Sequence, residues 1–507
     1  MSGDTRRMAE TAEIESPIPL YPYQVAHFQK LVDIFLNGHI GIDTSTTGAG
    51  KSITAAAVAR VFGFKHIIII CPKSVKVSWT ETIAKTELTV ENIITYQSLR
   101  GLSGRSIKHP YLTRFDRAGE GTIFAATQHF RGLLQEGVFL IFDEVQNIKN
   151  NSDQMKAAKA LITALLGDST KSRVLFLSAS PFDKEEHAIN FLRCLGFIRH
   201  RNLYSINKDT GECKLQGAQE LIDMCNYFDA RGTRAVVDPV EFSKRTIQPM
   251  CYQLFCEVLK PKIFSSMSPP RLDVVKDIKN GYYHLDDPVP LLEAIDMMSR
   301  AAHYRKDDKT VDSKNADWSA ITRALMALET AKLPIFTRLA LKRLMENDTN
   351  QVIVFVNYRN SITSIANALQ EFAPMILCGD TSDRDREAII NAFQSASRRL
   401  LISNMKVGGV GINLHDIMGG RKRFVYGSPN YMAIDMHQAT GRVYRASTLT
   451  SPEIRWIYGE VGREETSILN ALSRKGEVLR TILDRQVEDG VQFPGQYESQ
   501  HYAIDQE

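Results

Sequence analysis

Ser45-Thr46-Thr47-Gly48-Ala49-Gly50-Lys51-Ser52 sits between a short apolar segment, residues 40–44, and a helix-forming run, residues 53–60. Strand, Gly-rich loop and helix in that order are what phosphate binding needs. The glycines let backbone N–H groups of Thr47, Gly48, Ala49 and Gly50 curl around phosphate oxygens, and the helix N-terminus adds partial positive charge. Lys51 neutralises phosphate, and the Ser52 hydroxyl is of a type that ligates Mg2+. The first position of the usual GxxxxGK[ST] spacing is Ser45, so the loop alone leaves an incidental glycine turn open. A second constellation, Asp143-Glu144-Val145-Gln146, follows the apolar run 138–142. Two carboxylates at the tip of a buried strand are costly without positive charge nearby. A Mg2+·nucleotide supplies that charge, with Asp143 binding the metal through water and Glu144 orienting and deprotonating the attacking water. A surface Asp-Glu pair is the bland alternative for this tetrapeptide alone. Taken with Lys51 a few βα units upstream, it points to ATP hydrolysis.

These groups need a framework that brings loop tips together. Short β-rich runs at 67–71, 122–126, 139–142 and 174–178 alternate with helical patterns such as 53–62 and 154–166. Such alternation predicts an α/β fold with a parallel sheet covered by helices on both faces. The alternation restarts at 351–356, 375–378, 399–403, 423–426 and 453–458, with helices near 361–371 and 384–394, and predicts a second α/β domain. Helical periodicity dominates residues 200–345, read as an inserted or bridging helical region that offers a surface for protein partners. The organisation expected is a mobile tail (1–18), a nucleotide-binding domain (19–199), the helical region (200–345), a second α/β domain (346–486) and a polar tail (487–507).

Composition narrows the class. With 507 residues, 43% hydrophobic and 24% charged, the chain is long enough for two to four domains and is neither collagen-like nor disordered. No apolar stretch near the front is long enough to span a bilayer, and residues 1–15 are not signal-like, so an intracellular, non-membrane protein is expected. Seven scattered cysteines without a CxxC pair predict reduced thiols and no zinc site. A net charge of +4 does not by itself identify a nucleic-acid binder.

In their order and content the motifs resemble superfamily 2 helicases and translocases, closest to the Snf2-like branch, over residues 21–458. Short flanks and loose motifs would suit a viral or phage member. Tyr21-Pro22-Tyr23-Gln24 is similar to the adenine-reading glutamine segment, which implies that Gln24 contacts the base. Residues 71–79, from Cys71-Pro72-Lys73 to Trp79, resemble motif Ia, and Ser178-Ala179-Ser180-Pro181 resembles motif III. Gly379-Asp380-Thr381 with Arg386 and Phe393-Gln394 is similar to the segment after motif IV. Met405-Lys406 through Gly411 to Leu414 resembles motif V, and Gln438-Ala439-Thr440-Gly441-Arg442-Val443-Tyr444-Arg445 resembles motif VI.

The resemblance implies two tandem RecA-like domains using ATP and Mg2+. It implies catalytic roles for Lys51, Asp143, Glu144, Gln146, Arg442 and Arg445, with Gly411 and Gln438 joining the P-loop at the nucleotide. Arginines on the second domain would make hydrolysis depend on domain closure, which converts turnover into stepping along a strand. Gln146 replaces the frequent His of motif II, and Ala446-Ser447-Thr448 follows Arg445 where Snf2-like proteins often carry Ile-Gly-Gln. Nucleic acid would cross the top of both sheets, held mainly at phosphates. The candidates are Lys73, Lys76, Trp79, Thr127 and Gln128 in the first domain, and Asn357, Arg359, Asn404 and Lys406 in the second. Trp79 serves equally well as core, and Arg421-Lys422-Arg423 as phosphate patch or solvated turn. The activity expected is a nucleic-acid-dependent ATPase moving on duplex DNA. An RNA helicase and a nucleic-acid-binding regulator that does not hydrolyse ATP are the alternatives.

Overall fold

Continuous apolar runs such as Val138–Asp143 cannot face water on either side, so they form strands of sheets covered on both faces. The computed structural model describes residues 14–102, 107–117, 121–168, 171–207, 209–267, 273–301, 317–408, 412–445, 447–461, 465–483 and 492–502. The strands of its first half are β1 (Ile40–Asp43), β2 (His66–Cys71), β3 (Asn92–Thr95), β4 (Leu112–Arg117), β5 (Gly121–Ala126), β6 (Val138–Asp143), β7 (Arg173–Leu177), β8 (Tyr204–Ile206), β9 (Cys213–Leu215) and β10 (Phe264–Ser265). Six of them form a parallel sheet in the order β10-β1-β7-β6-β2-β3. The run expected at 122–126 is a strand, but it pairs antiparallel with β4 in a separate hairpin.

The second half adds β11 (Asp277–His284), β12 (Gln351–Val356), β13 (Met375–Leu377), β14 (Leu400–Asn404), β15 (Arg423–Gly427), β16 (Glu453–Glu460) and β17 (Glu498–Tyr502). They make a second parallel sheet, β13-β14-β12-β15-β16-β11-β17. The chain is thus two RecA-like lobes, as expected. Region 200–345 is not purely helical, since it lends β10 to the first sheet and β11 to the second. The polar C-terminal segment supplies β17, and its Phe493 is fully buried. Both strands are polar in part, and β11 is stabilised by eight paired positions on β16 rather than by an apolar run of its own.

Register brings the chemistry together. Asp43 of β1 and Asp143 of β6 both pair with Leu177 of β7, so three strand tips end side by side. At about 4.8 Å between neighbouring strands, the loops after β1 and β6 open into one crevice about 10 Å across. The helix Thr466–Leu483 belongs to the second lobe and docks on the first. There Lys260 Nζ donates to the Thr481 carbonyl (2.9 Å), and Lys475 faces Asp183 across the junction at 3.7 Å.

Asp183, which is 3% exposed, also pairs with His187 and Lys149, each at 2.8 Å. Burial opposes its ionisation, yet His187, Lys149 and Lys475 together hold its carboxyl far below the usual range. A carboxyl depressed on folding contributes stability that is present above its unfolded value, about 3.9, and is lost as pH falls toward the folded one. Asp183→Asn is therefore expected to cost about 3 kcal/mol at pH 7 and to flatten the acid limb of stability between about pH 4 and 2. Thermal unfolding across that range checks it, and an unchanged acid limb would refute the role.

Candidate ATP site

β1 ends at the fully buried Asp43, whose Oδ1 accepts from the Ser45 N–H (2.8 Å) and whose Oδ2 lies 3.0 Å from His27 Nε2. Burial opposes ionisation here too, but His27, Lys51 and Ser45 hold the Asp43 carboxyl below its ordinary value. The loop then turns through Gly48 (φ 83°) and Gly50 (φ 94°), both in the left-handed region that favours glycine. At Gly50 space matters as well, because a Cβ would stand 2.2 Å from Gln24 Nε2. The helix Lys51–Phe62 starts at the next residue, aiming its free N–H groups into the loop. Lys51 Nζ donates to the carbonyls of Ser45 (2.9 Å) and Thr46 (3.2 Å), lying along the loop it would leave for phosphate. Gln24 is buried and donates to the Ala49 carbonyl (2.9 Å), while its Oε1 accepts from the Tyr21 N–H (2.9 Å). It is therefore tied to the P-loop backbone.

Asp143 is buried at the tip of β6, and its pKa is pushed up to about 7 by burial first and the Glu144 charge second, against the pull of Lys51. Its Oδ1 accepts from the Glu144 N–H (2.9 Å) and its Oδ2 from the indole N–H of Trp79 (2.8 Å). Trp79 was expected on the nucleic-acid face. It is instead fully buried beneath the site, because its N–H needs an acceptor and the Asp143 carboxylate provides one. The Tyr96 hydroxyl donates to the Asp143 carbonyl (2.9 Å).

Glu144 has φ 57°, strained for a residue with a side chain, and costs on the order of 1–3 kcal/mol. Asn147 holds the turn, its N–H (3.0 Å) and Nδ2 (2.8 Å) both donating to the Glu144 carbonyl. Gln146 then bridges, receiving a bond from Ser178 Oγ (2.7 Å) and donating to Glu144 Oε2 (2.7 Å). This places the Ser178 segment one side chain away from the candidate base.

The second lobe closes the crevice. Its helix Ala433–Val443 carries Gln438, which donates to Glu144 Oε2 (3.1 Å), and Arg442, which lies 3.8 Å from Glu144 Oε1. The lobes meet closely here. A Cβ on Gly441 would sit 3.1 Å from Thr47, and one on Gly48 would sit 3.1 Å from the Arg445 side chain. Arg445 donates to the Ile412 carbonyl (3.0 Å), and its buried Nε has no hydrogen-bond partner among the described residues. Burial and the neighbouring Arg442 push its pKa down to about 9. A buried guanidinium with an unmet N–H beside a P-loop fits an incoming phosphate oxygen. Gly411 lies outside the described residues.

Most nucleic-acid candidates ring the loops of both sheets. Lys73, Gln128 and Lys406 are exposed, and Asn404 is half-buried. Thr127 caps the helix Gln128–Glu136, accepting from the Phe130 N–H (3.2 Å) and donating to the Pro110 carbonyl (2.5 Å). Asn357 is not presented to a ligand as expected. Its Nδ2 donates to Glu329 (2.8 Å) and the Ser428 carbonyl (3.2 Å), and its Oδ1 accepts from Asn430. The basic run at 421–423 is no patch either: Arg423 is fully buried and donates to the Leu414 carbonyl (2.9 Å), while Lys422 pairs with Glu453 (2.9 Å).

Against known proteins, the "Helicase conserved C-terminal domain" family matches residues 332–447, which span the Gln438–Arg445 element. The chain is 25% identical over 495 residues to "Putative ATP-dependent RNA helicase L364" of Acanthamoeba polyphaga mimivirus, covering 94% of this chain and 86% of that one. The chain belongs to the superfamily 2 helicases. As a member it is an ATP hydrolase of the helicase type. Among solved structures it is similar to S. cerevisiae Dbp5 bound to RNA and ADP BeF3 (TM-score 0.45, 11% identity, 96% of this chain and 94% of that one). It is also similar to the Sulfolobus solfataricus SWI2/SNF2 ATPase core in complex with dsDNA (TM-score 0.34, 17% identity, 94% and 99%).

In this helicase two residues at the site carry no motif signal. Glu329, 2% exposed, accepts from the Asn357 N–H (2.8 Å) and Tyr358 N–H (3.1 Å), placing a carboxylate at the N-terminus of the helix Arg359–Ala368. Tyr96 was passed over because a single hydroxyl in an apolar segment looks like core. Among the described residues no helix is long and apolar enough to cross a membrane. All seven cysteines are free, and burial pushes the Cys71, Cys194, Cys225 and Cys251 thiols up to about 12.

Proposed function

We propose that this helicase is a nucleic-acid-dependent ATPase that couples hydrolysis to movement along duplex DNA, with the site built from both lobes. The observation that carries the reading is the convergence of Gln438 and Arg442 from the second lobe on Glu144 of the first. Glu144 orients a water and takes its proton. Gln146 and Gln438 fix the carboxylate's direction, and Lys51 and Arg445 stabilise phosphoryl charge. Because Arg445 reaches the P-loop only when the lobes are together, anything that closes them, such as a bound polymer, raises turnover.

Among the described residues no group of three or more His, Cys, Asp or Glu side chains could hold a metal alone. The carboxylate of Asp143, with its raised pKa, and the Ser52 hydroxyl fit a Mg2+ ion that arrives with the nucleotide phosphates. When bound, it neutralises phosphate charge.

The RNA helicase reading is the second one, favoured by the printed name of the mimivirus relative. Steady-state ATP hydrolysis at one low salt concentration decides between them, with no polymer, single-stranded DNA, duplex DNA and single-stranded RNA in parallel. Greatest stimulation by duplex DNA is expected. Preferential stimulation by RNA transfers the function to the second reading, and folded protein without hydrolysis under any condition overturns both.

A further inference from the structure

The chain that joins the lobes is hydrogen-bonded to both halves of the ATP site. At its start, β10 lies beside β1, and the Thr44 N–H donates to the Ser265 carbonyl (2.9 Å). Two residues on, the Met267 N–H donates to Ser45 Oγ (2.8 Å). Ser45 stands where the usual phosphate-loop spacing has glycine, and a glycine would offer Met267 no acceptor. The same residue's carbonyl accepts from Lys51 Nζ (2.9 Å), so one fully buried serine touches both the phosphate-binding lysine and the connector. At the far end, the Tyr444 hydroxyl donates to the Val274 carbonyl (2.9 Å), and Lys276 Nζ lies 5.7 Å from the centre of the Tyr444 ring. Tyr444 directly precedes Arg445. Met267 and Val274 are seven positions apart, a reach of at most about 25 Å when fully extended.

We infer that Ser45 and Tyr444 are positioning residues that couple lobe separation to hydrolysis through this connector. Opening the lobes pulls on Met267 and Val274, and the pull is delivered to the P-loop at one anchor and to the Arg445 backbone at the other. Neither hydroxyl touches the reacting atoms. Each acts by fixing where Lys51 and Arg445 stand when a polymer draws the lobes together. This inference rests on the ATPase reading, and the test keeps the two apart.

The unaltered protein first gives the ratio of polymer-stimulated to unstimulated kcat. If it shows no stimulation, the proposed function fails before the inference is reached. In Ser45→Ala and in Tyr444→Phe that ratio is expected to fall about fivefold or more, while the Kd of a fluorescent ADP analogue moves less than about threefold. The double variant should be no worse than the worse single one, since both cut one connection. A wild-type ratio in Tyr444→Phe, a Kd that weakens in step with kcat, or additive losses in the double variant would each overturn it. Should Ser45→Ala lose its fold by circular dichroism, Tyr444→Phe decides alone, its side chain being only half-buried.

Discussion

Arg445→Ala should lower kcat about 10³-fold or more and leave nucleotide affinity nearly unchanged. The asymmetry follows from where the side chain starts. Arg445 belongs to the second lobe, is held at its far end by the Ile412 carbonyl (3.0 Å), and turns an unpartnered Nε–H into the crevice beside Gly48. The ground-state phosphates are already served by Lys51 and the loop amides. What Arg445 adds is a donor for charge that grows on the transferring group during reaction, and such a group lowers the barrier without tightening the ground state. Arg445→Lys should rescue little, because an ammonium is a point charge and cannot bond Ile412 and phosphate in one planar fork. Rapid-quench measurement of the hydrolysis step beside a nucleotide titration checks both halves. An unchanged kcat in Arg445→Ala would remove it from the chemistry.

The groups that face phosphate were legible in the sequence because few residue types perform that chemistry and their order along the chain is constrained. Lys51, Asp143 and Glu144 announce themselves as a cation and two carboxylates at predicted strand tips, and the register of Asp43, Leu177 and Asp143 then makes them neighbours. The alternation of short apolar runs with helical patterns likewise gave both sheets.

Residues whose role lies in tertiary packing were not legible. Trp79 read as a nucleic-acid contact because an aromatic beside lysines in a loop motif has no visible partner, yet its partner is a carboxylate 64 positions later. Glu329 read as one more charge on an amphipathic helix, although it is buried against the start of another helix 28 positions on. Strands β11 and β17 escaped because half-polar strands in partly covered positions lack a clear period, and each is held by pairing with distant segments. Ser45 looked like a flaw in a motif when read as a loop residue, and its hydroxyl makes sense only once Met267 is beside it.

Glu144→Gln carries the second large effect, an expected loss of about 10²- to 10⁴-fold in turnover with folding and nucleotide binding retained. The substitution is nearly isosteric. Its carbonyl oxygen can still accept from Gln146 and Gln438, which reach Glu144 Oε2 at 2.7 and 3.1 Å, so the interlobe contact survives. What disappears is the ability to take a proton from water. The neighbourhood favours a true base at this position: two amide donors and the Arg442 guanidinium surround the carboxylate, and the strained turn at φ 57° aims it into the crevice. Gln146→Ala provides the contrast. It removes one of those donors and the bridge to Ser178 but leaves the base in place, so its loss should be smaller, about tenfold, and should fall mainly on polymer-stimulated turnover. If Gln146→Ala proved as damaging as Glu144→Gln in the absence of polymer, the bridge itself would be part of the proton-transfer machinery and Glu144 would not act alone.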